Sequence, residues 1–503
     1  MELVENYSKV ASAGIALIVG VATVCLAYRT LLNRRKENEP PLDVGVLPFV
    51  GHGLAFSSDL SGFLKGMREK HGSIFTCIIF GKRMTFISDI KAIRKIWAHP
   101  KQFNFDDFGI TADSLLSGLP LKETIESGVG SHTLREGYPK IRGSENLEIL
   151  QKRFQEGLKY FDNHPLFSNT SSWKELDLLE ISGTILYVAG GKSLFSQDWL
   201  KTKDLNDPLE SFRDFQVFAK DAPKLMGGVP EIFLKRAVAA RERIVKNLIL
   251  PLVVNHEKGS WHPMTDNYVL ELKKVYQSNM KISHRLLSTL FAFMENSLLT
   301  LFWTLAHFLR LPANAQDEIR QEVLLSKKES STYAEYRKNI PMLNSLITEV
   351  FRLHGDPVSF RVCTENCTVD GLREEPTAFR QGDFLYGLSS VDQLKPNVDV
   401  SSANPGKFEA ARWRKYGKDP SLQNLPLPVP RHQVLETFGG GKHMCPGRFF
   451  AILEVHEVLA WMMVNMNFEL YSSDQPMPEK QVDISSVVNI PPTPFKVRFK
   501  RRK

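Results

Sequence analysis

A glycine-rich run that leads into a cysteine carries the clearest chemical signal in this sequence, Phe438-Gly439-Gly440-Gly441-Lys442-His443-Met444-Cys445-Pro446-Gly447-Arg448-Phe449-Phe450. Its successive glycines allow the backbone to turn tightly and to approach a flat cofactor closely. Cys445 stands at the start of an apolar stretch, about residues 446–466, that we expect to be helical, and Pro446 suits a first helical turn. The helix dipole and the free N–H groups at that end favour a thiolate over a thiol. The run therefore predicts a thiolate ligand for a cofactor metal.

These residues resemble the haem-binding loop of the cytochrome P-450 family, whose pattern is F-x-x-G-x-[RH]-x-C-x-G. Every fixed place of the pattern is filled, by Phe438, Gly441, His443, Cys445 and Gly447. The resemblance implies haem b with Cys445 as the axial iron ligand, Phe438 packed under the sulfur and His443 bound to a haem propionate. A thiolate in that place pushes electron density onto the iron and favours O–O cleavage.

Two further motifs stand in the order and at the distances that the family shows. Thr348-Glu349-Val350-Phe351-Arg352 supplies E-x-x-R, and the i, i+3 spacing puts Glu349 and Arg352 on one face of a helix. Phe408-Glu409-Ala410-Ala411-Arg412-Trp413 resembles the family's F-x-P-x-R-[FW], with Ala410 where proline is usual. The resemblance implies that Glu349, Arg352 and Arg412 form a buried triad that holds the loop behind the haem.

The candidate catalytic residues are Glu295 and Asn296, in the stretch Ala292-Phe293-Met294-Glu295-Asn296. Most members of the family have [AG]-G-x-[DE]-T here, an acid and an alcohol that deliver protons to bound dioxygen. The acid is kept as Glu295, but asparagine replaces the threonine. Asn296 can donate a hydrogen bond or hold a water, yet it cannot give up a proton as a hydroxyl can. The alternative is that Asn296 only satisfies the local helix backbone.

Residues near the haem and the substrate are placed by analogy with the family. The expected substrate pocket includes Ala292, Phe293, Pro357, Val358 and Val488. Arg361 matches the position whose arginine commonly binds the other propionate, and its alternative role is that of an ordinary strand residue. Packing roles are also open for each pocket residue, because a fold alone does not fix function.

The asparagine at position 296 is typical of one branch of the family, which contains the sterol 7-alpha-hydroxylases, the sterol 12-alpha-hydroxylase and prostacyclin synthase. Within that branch the strongest likeness is to the oxysterol 7-alpha-hydroxylases, and it is carried by stretches such as Arg83-Met84-Thr85-Phe86 and Phe302-Trp303-Thr304-Leu305-Ala306. The likeness is thin over residues 106–145, which would wall the substrate pocket. Leu299 also replaces the branch's usual proline.

The resemblance implies a monooxygenase that takes electrons from NADPH through cytochrome P-450 reductase and inserts oxygen into a sterol C–H bond. The expected reaction is 7-alpha-hydroxylation of an oxysterol such as 24-hydroxycholesterol, in cholesterol catabolism and bile acid synthesis. Two alternatives stay open. One is a haem-thiolate isomerase or dehydratase that acts on lipid peroxides, as prostacyclin synthase does, and the other is a non-catalytic haem or sterol binding protein.

The elements that must position these residues are mostly helical. Apolar residues at three- and four-residue spacing predict helices at residues 147–161, 173–188 and 236–250, and a long core helix at 284–310. Two β-rich runs, 74–80 and 84–88, predict a hairpin with Gly81-Lys82-Arg83 as its turn. The fold class is therefore mainly α with a small β portion, and the resemblance makes it the cytochrome P-450 fold.

The amino-terminal segment predicts a membrane anchor. Residues 10–28 contain no charge and are long enough for a helix that spans a bilayer, which takes ~20 apolar residues. Arg29, Arg34, Arg35 and Lys36 follow and should stay in the cytosol. We expect an anchor at residues 1–36, a stiff proline-rich hinge at 37–52 and the catalytic domain at 53–503. The resulting location is the endoplasmic reticulum membrane, with the catalytic domain cytosolic.

Composition limits the remaining classes of function. Hydrophobic residues make up 43% and charged residues 24% of the chain, the balance of a globular protein. The net charge of +8 fits membrane lipid or an acidic protein partner, and the scatter of Lys and Arg argues against nucleic acid. Five cysteines do not form a disulfide framework. Cys363 and Cys367 have no second ligand pair after them, so they are interpreted as ordinary thiols near a strand.

Overall fold

A computed structural model describes residues 20, 23, 35–47, 49–130, 133, 136–168, 172–201, 207–355, 358–388, 407–417, 419–422, 425–427, 437–479 and 488–502. The described residues form these helices: α1 (Gly53–Ser58), α2 (Leu60–His71), α3 (Ile90–Trp97), α4 (Asp106–Ser117), α5 (Leu121–Glu126), α6 (Ser144–Leu158), α7 (Pro165–Ser168), α8 (Leu178–Leu194), α9 (Pro208–Met226), α10 (Lys235–Arg243), α11 (Leu250–Val254), α12 (Pro263–Val275), α13 (Asn279–Leu309), α14 (Ala313–Glu329), α15 (Tyr333–Lys338), α16 (Pro341–His354) and α17 (Arg448–Asn465). The strands are β1 (Leu42–Asp43), β2 (Ile74–Ile79), β3 (Lys82–Ile87), β4 (Phe103–Asn104), β5 (Lys174–Asp177), β6 (Val358–Cys363), β7 (Cys367–Val369), β8 (Thr377–Phe379), β9 (Phe384–Leu388), β10 (Met466–Leu470) and β11 (Lys496–Arg501). The predicted fold class, mainly α with a small β portion, is confirmed.

The chain divides into two compact units. The smaller unit comprises Met1–Phe105 and Ser359–Ser389, and the larger unit comprises Asp106–Val358 and Ser390–Lys503. Most of the sheet structure lies in the smaller unit, whose main sheet has the strand order β1-β2-β3-β9-β6-β4. The larger unit is mainly helical and carries a sheet of order β10-β11-β5.

The predicted hairpin in the smaller unit is confirmed, but its turn is tighter than expected. β2 and β3 pair antiparallel, with Ile79 opposite Lys82, so that Phe80 and Gly81 alone form the turn. Both turn residues have positive φ, 46° at Phe80 and 76° at Gly81. Positive φ at both central residues matches the twist of a two-residue hairpin. Lys82 and Arg83, which were expected in the turn, therefore belong to the second strand.

Part of the segment predicted as a hinge packs into the smaller unit. β1 pairs parallel with β2. The buried carboxylate of Glu39 accepts a hydrogen bond of 2.8 Å from Arg380 Nη2 and lies 3.5 Å from Arg83 Nη2. Asp43 accepts hydrogen bonds from Lys70 Nζ at 2.7 Å and pairs with the ring of His52 at 2.7 Å. Residues 39–43 are thus held by pairing and by charge against the sheet.

The predicted core helix exists and begins earlier than expected. Helix α13, hereafter the central helix, starts at Asn279, where the Ser278 side chain accepts a hydrogen bond from the Lys281 N–H, a common helix N-cap. Its side chains are buried almost throughout. Among the described residues it is the one helix long and apolar enough to cross a membrane, and its burial makes it a core element. The predicted anchor at residues 10–28 lies outside the described residues, apart from Gly20 and Thr23.

One helix prediction in the larger unit was wrong at its start. Residues 173–188 were expected to be helical, but β5 occupies Lys174–Asp177 and the helix runs over Leu178–Leu194. β5 pairs with β11, which lies far away in the chain, and such tertiary pairing overrides local periodicity. Asp177 then starts the helix, because its Oδ1 accepts a hydrogen bond from the Leu179 N–H at 2.9 Å.

Candidate haem-thiolate site

The cysteine loop turns twice through backbone conformations that only glycine adopts easily. Gly439 and Gly441 have φ values of 65° and 66°, in the left-handed region. The turn brings the N–H of Cys445 to 2.9 Å from the carbonyl of Phe438, which closes the loop on itself. Helix α17 starts at Arg448, two residues later than the start predicted at Pro446. The loop therefore places Cys445 directly before the first turn of a buried helix.

The Cys445 sulfur lies in an environment of opposing influences. Burial raises the pKa of the Cys445 thiol, and this effect outweighs the hydrogen bonds from the N–H groups of Gly447 and Arg448 and the positive charge of Arg448, which lower it. Arg448 Nη1 also donates to the Cys445 carbonyl at 2.7 Å. The N–H groups of a first helical turn stabilise negative charge on sulfur. Cys445 is a free cysteine and is half-buried as a residue, so no disulfide occupies the sulfur that would bind a metal.

The central helix approaches the cysteine loop through Phe293. A Cβ atom placed on Gly447 would lie 3.9 Å from Phe293 Cε1. The Phe293 ring also meets Phe450 of α17 edge to face, with centroids 6.5 Å apart. In the same helical stretch Ala292 is exposed, and Glu295 and Asn296 are half-buried. The face of the central helix that carries Ala292 is therefore not covered by packed side chains, although the turns before and after it are buried.

Glu349, Arg352 and Arg412 come together in the interior of the larger unit. Glu349 is 0% exposed, and its Oε1 lies 2.7 Å from Arg352 Nη2 and 3.0 Å from Arg412 Nε. Arg352 Nε donates to the other carboxylate oxygen at 2.8 Å. Both arginines also donate to the carbonyl of Lys407, at 3.2 and 2.9 Å. The two cations thus join α16 to the segment 407–413, as the predicted triad requires.

Trp413 and Glu409 complete this cluster, and sequence reasoning missed their direct role. Trp413 Nε1 and the N–H of Glu409 each donate to the Glu349 carboxylate, at 3.0 Å. The Trp413 N–H donates to Ser345 Oγ at 2.9 Å, and that hydroxyl in turn donates to the carbonyl of Ala410. The tryptophan in the motif was a signal that could have been used, since a buried indole N–H needs an acceptor.

Helix α16 links the triad to the cysteine loop. Phe351 lies two residues after Glu349, and its ring packs on Phe438 with centroids 5.5 Å apart. Phe438 is the residue whose carbonyl accepts the Cys445 N–H. A shift of α16 would therefore be transmitted to the loop that presents the cysteine.

The remaining predicted residues lie in several places. His443 is half-buried in a short 3₁₀ turn, Gly441–His443. Val488 is buried and bridges to Gly355 at the end of α16, and Val358 is half-buried at the start of β6. Pro357 lies outside the described residues. Their predicted roles in the pocket and at the propionate stay predictions.

Arg361 belongs to the smaller unit, on β6. Its guanidinium is buried, and Nη1 donates to the carbonyl of Phe360 at 2.6 Å. Burial lowers the pKa of Arg361 to about 10. The residue therefore stays cationic at neutral pH, which its predicted role as a propionate ligand requires.

Comparison with known proteins decides the family. The profile described as cytochrome P450 matches residues 178–499, a span that contains the central helix, the triad and the cysteine loop. This chain belongs to the cytochrome P450 family. It is a monooxygenase, and the role of Cys445 as the axial ligand stays a prediction.

Curated relatives are similar to this P450 over almost its whole length. A protein of Cricetulus griseus named cholesterol 7-alpha-monooxygenase is 26% identical, with 95% of this chain and 97% of the relative covered. The human 7-alpha-hydroxycholest-4-en-3-one 12-alpha-hydroxylase is 27% identical, with 92% and 93% covered. Cytochrome P450 7B1 of Mus musculus is 25% identical, with 92% and 91% covered.

Solved structures show the same fold. Retinoic acid-bound cyanobacterial CYP120A1 superposes with a TM-score of 0.62 at 20% identity, with 93% of this chain and 100% of the other covered. At that identity the likeness concerns the fold alone. It agrees with a mainly helical P450 architecture that carries small sheets.

The residues of the cysteine loop fit a haem. The Cys445 sulfur has two backbone N–H donors and one cation beside it, groups that would stabilise an axial thiolate. Gly447 lies beside this sulfur, and a Cβ there would be in ordinary van der Waals contact with Phe293, so the central helix lies directly against this part of the loop. Among the described residues, no group of three or more His, Cys, Asp or Glu side chains could hold a metal ion without such a cofactor.

Proposed function

We propose that this P450 hydroxylates a sterol. The observation that carries the proposal is the geometry of the cysteine loop. The loop is closed by the hydrogen bond from the Cys445 N–H to the Phe438 carbonyl, and Phe293 of the apolar central helix lies beside its Gly447. Support comes from curated relatives, named a cholesterol 7-alpha-monooxygenase and a sterol 12-alpha-hydroxylase, that match more than nine-tenths of the chain. Sterols are rigid and apolar, so an apolar pocket with few polar groups suits them.

The finer proposal is 7-alpha-hydroxylation of an oxysterol such as 24-hydroxycholesterol, a step of cholesterol catabolism and bile acid synthesis. It rests on the likeness of stretches such as Arg83-Met84-Thr85-Phe86 to the oxysterol 7-alpha-hydroxylases and on Asn296 in place of threonine. Asn296 and Glu295 are the half-buried polar pair of the stretch that also carries Ala292 and Phe293. A polar pair in such a setting can orient a hydroxylated substrate or a water.

The haem, when bound, supplies the activation of dioxygen. The residues of the chain would bind the haem, exchange protons with water and exclude bulk solvent. Cys445 would hold the iron, and His443 would bind a propionate through its N–H group. The Glu295 carboxyl can exchange a proton with water, and the Asn296 amide can hold that water by donating from Nδ2 and accepting at Oδ1. Phe293, which lies beside Gly447 and Phe450, would exclude water from this side of the cysteine loop.

We propose NADPH–cytochrome P-450 reductase as the electron donor. Lys442 is exposed beside the cysteine loop, and so is Lys415 after the triad segment. Exposed cations of this kind attract an acidic protein face and raise the rate of encounter. Arg448 is unsuited to that role, because its guanidinium is committed to the Cys445 carbonyl.

We also propose that the protein is anchored in the endoplasmic reticulum membrane with its catalytic part in the cytosol. The proposal is supported by the uncharged residues 10–28 and the basic residues that follow. Ile232 and Phe233, after α9, are 68% and 76% exposed. Two adjacent exposed apolar side chains are suited to contact with membrane lipid.

The test uses the full-length haem-loaded protein with the reductase and a panel of cholesterol, 24-hydroxycholesterol and a 7-alpha-hydroxylated sterol. Products are analysed by mass spectrometry with and without NADPH. The proposal predicts an NADPH-dependent product of 24-hydroxycholesterol with one added oxygen at the 7-alpha position. Turnover of a fatty-acid hydroperoxide without NADPH would instead favour an isomerase. Binding of sterol without any product would favour a binding protein.

A further inference from the structure

Two cysteines of the smaller unit lie in contact without a bond. Cys363 is the last residue of β6 and Cys367 the first of β7, and their sulfur atoms are 3.7 Å apart. Both are free thiols. Cys363 is 1% exposed, whereas Cys367 is half-buried. The pair therefore has one residue that is protected from solvent and one that solvent reaches in part.

The backbone holds both cysteines in place. The Cys363 N–H donates to the Asp383 carbonyl at 2.9 Å, and the Cys363 carbonyl accepts from the Gly382 N–H at 2.8 Å. Cys367 pairs with Phe379 across the antiparallel strands β7 and β8. A disulfide needs its sulfurs about 2.05 Å apart, so the two sulfurs must approach each other by about 1.6 Å.

A metal site explains this pair poorly. Closed zinc sites have four protein ligands, and the described residues offer no group of three or more His, Cys, Asp or Glu that could hold a metal ion. The sulfurs are instead placed for reaction with each other. The Cys363 S–H also lies 3.0 Å from the Glu365 carbonyl, which orients it at the corner between the two strands.

We propose that Cys363 and Cys367 form a reversible redox site, in which a hydroperoxide oxidises Cys367 and Cys363 then closes an intramolecular disulfide. In the first step the Cys367 thiolate attacks the peroxide, the O–O bond breaks, and a sulfenic acid and hydroxide or an alcohol form. In the second step the Cys363 sulfur attacks the sulfenic sulfur, the S–O bond breaks, and water leaves. The peroxide is reduced and the two thiols are oxidised, and a thiol reductant reverses the change.

The two thiols differ in the way these two steps require. Burial raises the pKa of both, so neither is a fast nucleophile at neutral pH. Access then decides which thiol reacts first, and Cys367 is the more exposed of the two residues. The second step is intramolecular between atoms already in contact, so it needs no further access. The disulfide would tie the end of β6, two residues beyond Arg361, to β7.

The experiment uses the full-length haem-loaded protein and hydrogen peroxide as the probe. Free thiols are blocked with one alkylating reagent, disulfides are reduced, and newly freed thiols are labelled with a second reagent before peptide mapping. We expect Cys363 and Cys367 to gain the second label together and to lose it if dithiothreitol is added before blocking. Cys77 is the matched control, because it is an equally buried thiol of the same sheet, and it should keep the first label.

The order of the steps has its own test. In Cys363→Ser, dimedone should trap a sulfenic acid at Cys367, because the partner that resolves it is gone. In Cys367→Ser, Cys363 should give at least tenfold less adduct. Thiols at 363 and 367 that resist peroxide as Cys77 does, or that form disulfides only between molecules, would overturn the proposal. Since no sterol turnover is measured, the result is independent of the proposed hydroxylase activity.

Discussion

Glu349→Gln is expected to loosen the segment 407–413 and the cysteine loop together. The Glu349 carboxylate accepts hydrogen bonds from five donors, two on Arg352 and one each on Arg412, Trp413 and Glu409. Glutamine keeps one acceptor oxygen and turns an NH₂ group toward the other donors. If the glutamine oxygen takes the position of Oε1, its NH₂ group takes the position of Oε2. Arg352 Nε and Trp413 Nε1, which donate to Oε2 in the native protein, would then face another donor.

The magnitude follows from those two lost acceptor contacts and from the lost charge. Each buried donor without an acceptor costs about 1–3 kcal/mol. Removal of one partner from a buried ion pair costs about 3–5 kcal/mol. The two estimates describe the same loss and overlap near 4 kcal/mol. At about 1.4 kcal/mol per factor of ten, local opening of the segment should become roughly a thousandfold more frequent.

Hydrogen exchange by mass spectrometry measures that opening directly, because the Glu409 amide donates to Glu349. The carbon monoxide difference spectrum of the reduced protein reports in parallel on thiolate ligation at Cys445. We expect faster exchange across 407–413 and a smaller thiolate-ligated fraction. Glu457→Gln is the matched control, since that carboxylate is also buried and paired, with Lys327 at 2.8 Å, but makes none of the triad's bonds.

The control should lose stability without faster exchange at 407–413. The reasoning would be refuted if Glu349→Gln changed exchange there by less than tenfold while the thiolate spectrum stayed intact. It would also be refuted if Glu457→Gln gave the same two changes. Either result would mean that the carboxylate does not hold the segment behind the cysteine loop.

Three further predictions concern other buried or exposed charges. Arg285→Met should destabilise the protein by about 3 kcal/mol in urea unfolding, the lower end of the cost of breaking a buried pair, because it leaves the half-buried Asp113, 2.8 Å away, without its cation; adding Asp113→Asn should recover part of the loss, and strictly additive losses would contradict the pairing. Burial lowers the pKa of His307 to about 3. Between that pH and about 6.5, the unfolded chain binds a proton at this histidine and the folded protein does not. The free energy of unfolding should therefore fall as the pH falls through this range, by up to about 1.4 kcal/mol per pH unit. His307→Phe, which can keep the stack on Phe408, should flatten the dependence of unfolding free energy on pH between 7 and 4, and an unchanged slope would count against the assignment. Lys442→Glu should slow reduction by the reductase in stopped-flow measurements and leave sterol affinity within about twofold, since rim charges act mainly on encounter rates; equal falls in both would exclude docking there.

The elements closest to the chemistry could be predicted from the sequence because their signals are local. Glycine at positions 439 and 441 is typical of backbone with positive φ, and both residues have positive φ in the structure. The i, i+3 spacing of Glu349 and Arg352 on one helix required only helical geometry. The length and apolarity of the central helix also sufficed to place it in the core.

Long-range partners could not be predicted in the same way. Nothing local in residues 174–177 indicates that they pair with β11, and so a strand was taken for the start of a helix. The contact of Asp113 with Arg285 joins residues with no shared motif. The spacing of Cys363 and Cys367 allows contact but does not require it, because the distance depends on how β6 and β7 meet.

Isotopically labelled dioxygen tests the proposed 7-alpha-hydroxylation of an oxysterol and the proposed role of Cys445 as thiolate ligand in one experiment. The reconstituted protein receives 24-hydroxycholesterol, reductase and NADPH under the labelled gas, and the product is analysed by mass spectrometry and NMR. The account predicts one labelled oxygen at the 7-alpha position, absent without NADPH and absent in Cys445→Ser. A product without label, a label at another carbon, or equal activity in Cys445→Ser would contradict it.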